Sequence, residues 1–154
     1  MEYGSIEREF FVAAPPEIVY EVISRPEHVR EWWPDDAHLD PEPGGRGELV
    51  WHGAEPGLDV TMALQVVDAE PPHRFAFRWT HAADEVPDRS NSMLVTFDLT
   101  ASGDGTTVRF VETGFRERGW EIAQLEAAYQ DHVEGWNTFL PRLVAYGARR
   151  ASVA

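Results

Sequence analysis

Apolar and polar positions change rhythm twice along the chain. Ile6 to Val12 is β-branched and aromatic, which predicts a strand. Pro15-Pro16 ends it and opens a helix, because proline's missing N–H has no partner in a first turn anyway. Ile18 and Val22, with Tyr20 and Ile23, then keep helical spacing from Glu17 to Ser24. Arg25-Pro26 breaks that helix, and a second short one is predicted from Pro26 to Trp32.

From Gly45 the period becomes two. Leu49 and Trp51 alternate with their neighbours, as do Leu58, Val60, Met62, Leu64 and Val66. The same holds for Phe75, Phe77 and Trp79, for Met93, Val95, Phe97 and Leu99, and for Val108 and Phe110. One apolar and one mostly polar face predicts an antiparallel sheet covered on one side. Pro56-Gly57 and Pro71-Pro72 read as turns, and Gly103-Asp104-Gly105 as a hairpin. The last segment steps by three and four through Ile122, Leu125, Tyr129, Val133, Trp136, Leu140, Leu143 and Val144. That is one face of an amphipathic helix from about Glu117 to about Tyr146, with Pro141 predicting a kink or break near Asn137.

The predicted order is strand, two short helices, about five strands, then one long helix. Sheet and long helix each have one apolar face, so each must cover the other. The fold class is α+β, a curved antiparallel sheet wrapped around a long C-terminal helix, with room for a cavity between them. No linker divides residues 1–154, so one domain is expected.

Composition mainly excludes. No cysteine means no disulfide, thiolate zinc site, iron–sulfur cluster or Cys nucleophile. The 27 acidic residues outnumber 13 basic ones, for a net charge of −14, which predicts no nucleic-acid partner and no attraction to an anionic membrane. Every basic residue is Arg, which reads as the codon bias of a GC-rich genome and excludes a Schiff-base or P-loop lysine. No apolar run approaches the roughly 20 residues of a membrane span, and the N-terminus has no signal-peptide pattern, so a cytoplasmic location is expected. The six histidines form no metal-ligand spacing, and no nucleotide or nucleophile-elbow motif is present. Neither metal nor cofactor is expected.

The candidate chemistry is aromatic. Trp32 and Trp33 end the second helix and could rim a cavity mouth. Trp51, Phe75, Phe77, Trp79, Met93 and Phe97 share the inner sheet face, opposite Tyr129 and Trp136 of the helix. Glu112 continues the Val108, Phe110 alternation and so points inward, where a carboxylate is costly unless paired. His132, one turn before Trp136, is one candidate partner and Tyr129 another. Glu112 then serves as a polar anchor for a ligand hydroxyl or carbonyl, as a general base, or in a structural hydrogen bond.

Ala14-Pro15-Pro16-Glu17-Ile18-Val19-Tyr20, Pro26-Glu27-His28-Val29-Arg30-Glu31-Trp32-Trp33, Val66-Val67-Asp68-Ala69-Glu70-Pro71-Pro72-His73-Arg74-Phe75, Gly105-Thr106-Thr107-Val108 and Gly135-Trp136 follow one another in order. Together with the layout they resemble the helix-grip (START/Bet v 1-like) superfamily, and within it the Hsp90-ATPase-activator-homologue-like family. The resemblance implies a deep cavity between sheet and long helix that holds apolar small molecules. The family's name implies chaperone contact; eukaryotic activators carry a preceding domain that makes much of it, and no such domain is expected within these 154 residues.

The first expectation is a binding module for a hydrophobic, lipid-like or aromatic polyketide-like small molecule. Its ligand residues are Trp32, Trp33, Trp51, Phe77, Trp79, Glu112, Tyr129, His132 and Trp136, with no catalytic residue assigned. One alternative is a cyclase, dehydratase or hydrolase using the same cavity, with Glu112 and His132 as its acid–base pair. The other is a protein-interaction module that regulates a chaperone.

Overall fold

The computed structural model describes residues 3–55 and 57–153, so Pro56 of the predicted Pro56-Gly57 turn lies outside them. Strand β1 (Ser5–Val12) leads into α1 (Pro16–Ser24) and α2 (Pro26–Trp32). Six strands follow: β2 (Asp36–Leu39), β3 (Arg46–Trp51), β4 (Val60–Glu70), β5 (Arg74–Trp79), β6 (Met93–Ser102) and β7 (Gly105–Thr113). A 3₁₀ turn (Arg116–Arg118) precedes the long helix α3 (Ile122–Val153).

The strands form one curved, open antiparallel sheet in the order β1-β7-β6-β5-β4-β3-β2. Consecutive strands from β2 to β7 pair as hairpins, and β1 adds to the far edge against β7. Both short helices begin at a proline, Pro16 and Pro26. Arg25 ends α1, its N–H bonding Glu21 O at 3.0 Å, and in the same extended conformation caps α2.

The inner face follows the two-residue period. Leu64, Val66, Phe75, Phe77, Met93, Val95, Phe97, Val108 and Phe110 are all buried. α3 lays Leu125, Trp136, Leu140 and Leu143 against this face, while α1 packs over β5, β6 and β7.

Four details depart from the sequence pattern. β2 raises the strands after the helices to six; it has four residues, and only Ala37 is buried, so no period could announce it. Leu58 precedes β4 and is 58% exposed, because the inward alternation starts deeper in the strand. α3 begins at Ile122 rather than near Glu117, which lies in the 3₁₀ turn closed by Gly119 in the left-handed region (φ 74°). Ile122 is 64% exposed, so the buried stripe starts at Leu125.

Pro141 lies inside α3 without ending it, and the helix runs well past Tyr146. A proline there removes one backbone hydrogen bond. Trp136 and Leu140 before it and Leu143 after it are buried against the sheet, and that packing holds the helix on both sides.

Candidate functional site

A cavity of about 460 Å³ opens between α3 and strands β3, β4 and β5. The strand period brings Trp51 and Met62 to its outer wall and Trp79 to its depth. Trp33, the residue that ends α2, closes one side with φ −114° and ψ −90°. From α3, His132 and Trp136 are four residues apart and therefore share a face. Phe139 and the carboxylates Asp131 and Glu134 complete the helix side. No Arg is among the lining residues.

The indoles form one cluster. Trp33 is its hub, with ring centroids 5.9 Å from Trp51, 4.9 Å from Trp79 and 5.0 Å from Trp136. Trp32 stacks on Trp33 from behind at 5.7 Å and donates its Nε1–H to Val22 O at 2.9 Å.

Beneath the cavity lies Glu112, 0% exposed and paired in register with Val95 of β6. Trp79 Nε1 donates to Oε2 at 2.8 Å, and Trp136 Nε1 donates to Oε1 at 2.8 Å. His132 Nδ1 lies 2.8 Å from the same Oε1. Both indoles can only donate, so both carboxylate oxygens act as acceptors. A lone carboxylate would be prohibitive here, but three ring nitrogens, two of them obligate donors, stand where its water would be. The His132 side chain is 15% exposed and forms part of the cavity wall. Its ring stands 5.4 Å from Trp79 and 5.2 Å from Phe115.

The structure thus gathers five of the nine candidates, Trp33, Trp51, Trp79, His132 and Trp136, around one space. The other four stand outside its wall. Trp32 backs the wall, and Phe77 lies a layer deeper, 5.7 Å from Trp33. Tyr129 turns to β1, where its hydroxyl donates to Ser5 O at 2.8 Å and its ring meets Phe115. Glu112 holds the wall together from below rather than facing the space. Met62, Thr80, Gly135 and Phe139 also line the cavity without having been singled out. Met62 was visible in the alternation of β4; Phe139 was not, because it stands beside the apolar stripe of α3 rather than in it.

A second hollow, of about 430 Å³, lies on the other flank of α3 against β1, lined by Phe10, Phe11, Leu140, Pro141 and Val144. Trp136 borders both spaces. Elsewhere, the buried side-chain polar atoms without a partner among the described residues are the Tyr20 hydroxyl and His81 Nδ1. Burial, then the charges of Asp68 and Glu70, push the Tyr20 phenol up to about 12. Burial lowers the His81 imidazole from its ordinary value, with Glu85 opposing and Arg46 assisting.

A curved sheet gripping one long helix over an aromatic cavity defines the helix-grip class. The family described as Activator of Hsp90 ATPase homolog 1-like protein matches residues 13–148, and the chain belongs to that family. Among solved structures it is similar to NE0264 of Nitrosomonas europaea, at 17% identity and TM-score 0.78, over 97% of each chain. MLL2253 of Mesorhizobium loti aligns at 22% identity and TM-score 0.73, over 94% of this chain and 97% of that one. DynU16, a protein from the dynemicin biosynthetic locus, aligns at 21% identity and TM-score 0.67, over 93% of this chain and 46% of its own. No curated protein matches. No described helix is long and apolar enough to cross a membrane.

Proposed function

We propose that the protein binds a neutral, aromatic small molecule in the cavity between α3 and β3–β5. The observation that carries this reading is the wall itself: four indoles, Met62 and Phe139 around an open space of about 460 Å³. Aromatic and thioether surfaces suit a flat apolar ligand. With Asp131 and Glu134 in the lining and no Arg, an anionic headgroup would meet repulsion. The similarity to DynU16, from a biosynthetic locus, agrees with a small-molecule occupant.

Burial of such a ligand corresponds to micromolar affinity, about −8 kcal/mol. The test is an NMR titration with neutral naphthyl ketones. Shifts should concentrate on the indole N–H signals of Trp33, Trp51, Trp79 and Trp136. Trp51 is only partly buried, so Trp51→Ala should weaken binding about tenfold while the fold survives. Shifts confined to the outer sheet face would refute the reading and favour a protein-interaction role.

A further inference from the structure

We propose that His132 is a general base for a carbon acid held in this cavity, and that Glu112 sets which ring nitrogen does the work. The inference rests on the binding reading above and adds an activity to it. Its carrier is the arrangement of one carboxylate and three ring nitrogens. Glu112 has no exposure, and both its oxygens are engaged by indole N–H groups that cannot accept a proton. With Glu112 as the carboxylate that two indole N–H groups favour, Oε1 also accepts from His132, and the hydrogen between them sits on Nδ1. That leaves the lone pair of the neutral ring on Nε2. Nε2 has no hydrogen-bond partner among the described residues and is not sealed in the core. The ring belongs to the cavity wall, and Nδ1 is turned toward the floor, so Nε2 is the nitrogen offered to an occupant.

A carboxylate behind an imidazole fixes its tautomer and stabilises the imidazolium formed on proton uptake. Trp79 and Trp136 lock that carboxylate from two sides, so the base is held before any ligand arrives. The substrate class is a neutral aromatic compound with an acidic C–H beside a carbonyl. Nε2 takes the proton, the C–H electron pair becomes the enolate, and the new N–H can return its proton to an oxygen or another carbon. No oxidant, reductant or metal enters the balance.

The experiment uses 5-nitro-1,2-benzisoxazole, a neutral aromatic probe. Removal of its C3 proton sends the C–H pair into a nitrile as the N–O bond breaks, releasing coloured 2-cyano-4-nitrophenolate. The protein should accelerate this reaction over an equal concentration of free imidazole. His132→Gln should cost about 100-fold or more while the probe still shifts the cavity indole signals. Added imidazole should restore turnover to His132→Ala, which a merely structural histidine would not allow. Nitrogen NMR of the unaltered protein should show neutral His132 protonated on Nδ1, and Glu112→Gln should mix the tautomers. Probe binding with unchanged turnover in His132→Gln overturns the inference and leaves the binding reading standing. Failure of imidazole rescue in a folded, probe-binding His132→Ala, or a neutral His132 protonated on Nε2, also overturns it. No shift at any cavity residue overturns both readings together.

Discussion

Glu112 and Tyr20 are both polar, both buried and both packed on aromatic rings, yet they are held in opposite ways. Glu112 has three ring nitrogens at 2.8 Å and belongs to the frame that joins β5, β7 and α3. Tyr20 is 8% exposed on α1, its ring edge-on to Phe75 at 5.9 Å, and its hydroxyl has no partner among the described residues. His81 Nδ1 shares that condition. Burial alone therefore does not mark a polar group as structural in this fold. What matters is how many groups would be stranded if it were removed.

That contrast is easiest to break at Glu112. Glu112→Ala strands two indole N–H groups and an imidazole in the core and should cost about 3–5 kcal/mol, read from the shift in urea midpoint. Glu112→Gln should cost less, about 1–3 kcal/mol, because one end still accepts while the amide nitrogen confronts an indole N–H. At Tyr20 the sign reverses: Tyr20→Phe strands nothing and should raise stability by about 1 kcal/mol at neutral pH. Its phenol is raised in the folded state, so its contribution is whole below the unfolded value of about 10 and is lost as pH climbs toward about 12. The variant should lack that alkaline loss.

The smallest effect is at His81. Its folded value is lowered, so the contribution is present above the unfolded value of about 6.5 and is lost as pH falls. Stability from pH 7 to pH 5 should fall more steeply in the native sequence than in His81→Leu, by less than about 1.4 kcal/mol per pH unit. Equal slopes would mean that the ring takes up its proton as readily in the folded protein as in the unfolded chain.

The sheet and the helix that covers it were legible because each obeys one period over a long run. β6 shows its inward residues from Met93 to Leu99 and β7 from Val108 to Glu112, and α3 shows its stripe from Leu125 to Leu143. β2 was not legible, since four residues at an edge need no pattern. The inward direction of Glu112 followed from alternation, and helix spacing offered His132 and Tyr129 as its partners; His132 takes that place, while Tyr129 bonds Ser5 O. The indole donors to Glu112 did not follow, because alternation fixes the face of a side chain and says nothing about which indole nitrogens turn toward it. For the same reason the sequence grouped Phe77 and Tyr129 with Trp51 and Trp79, although depth below the cavity separates them.

The gathering of indoles also decides what the molecule does with light. Five of the six tryptophans belong to one chain of ring contacts, with centroids 4.9–6.3 Å apart along it. Trp120 stands apart, under the guanidinium of Arg118. At such spacings excitation passes between rings far faster than it decays, so a photon absorbed by any of the five is shared by all. The emission of these five is in effect the emission of one place, and whatever touches a single ring of the cavity wall changes the colour of the whole cluster.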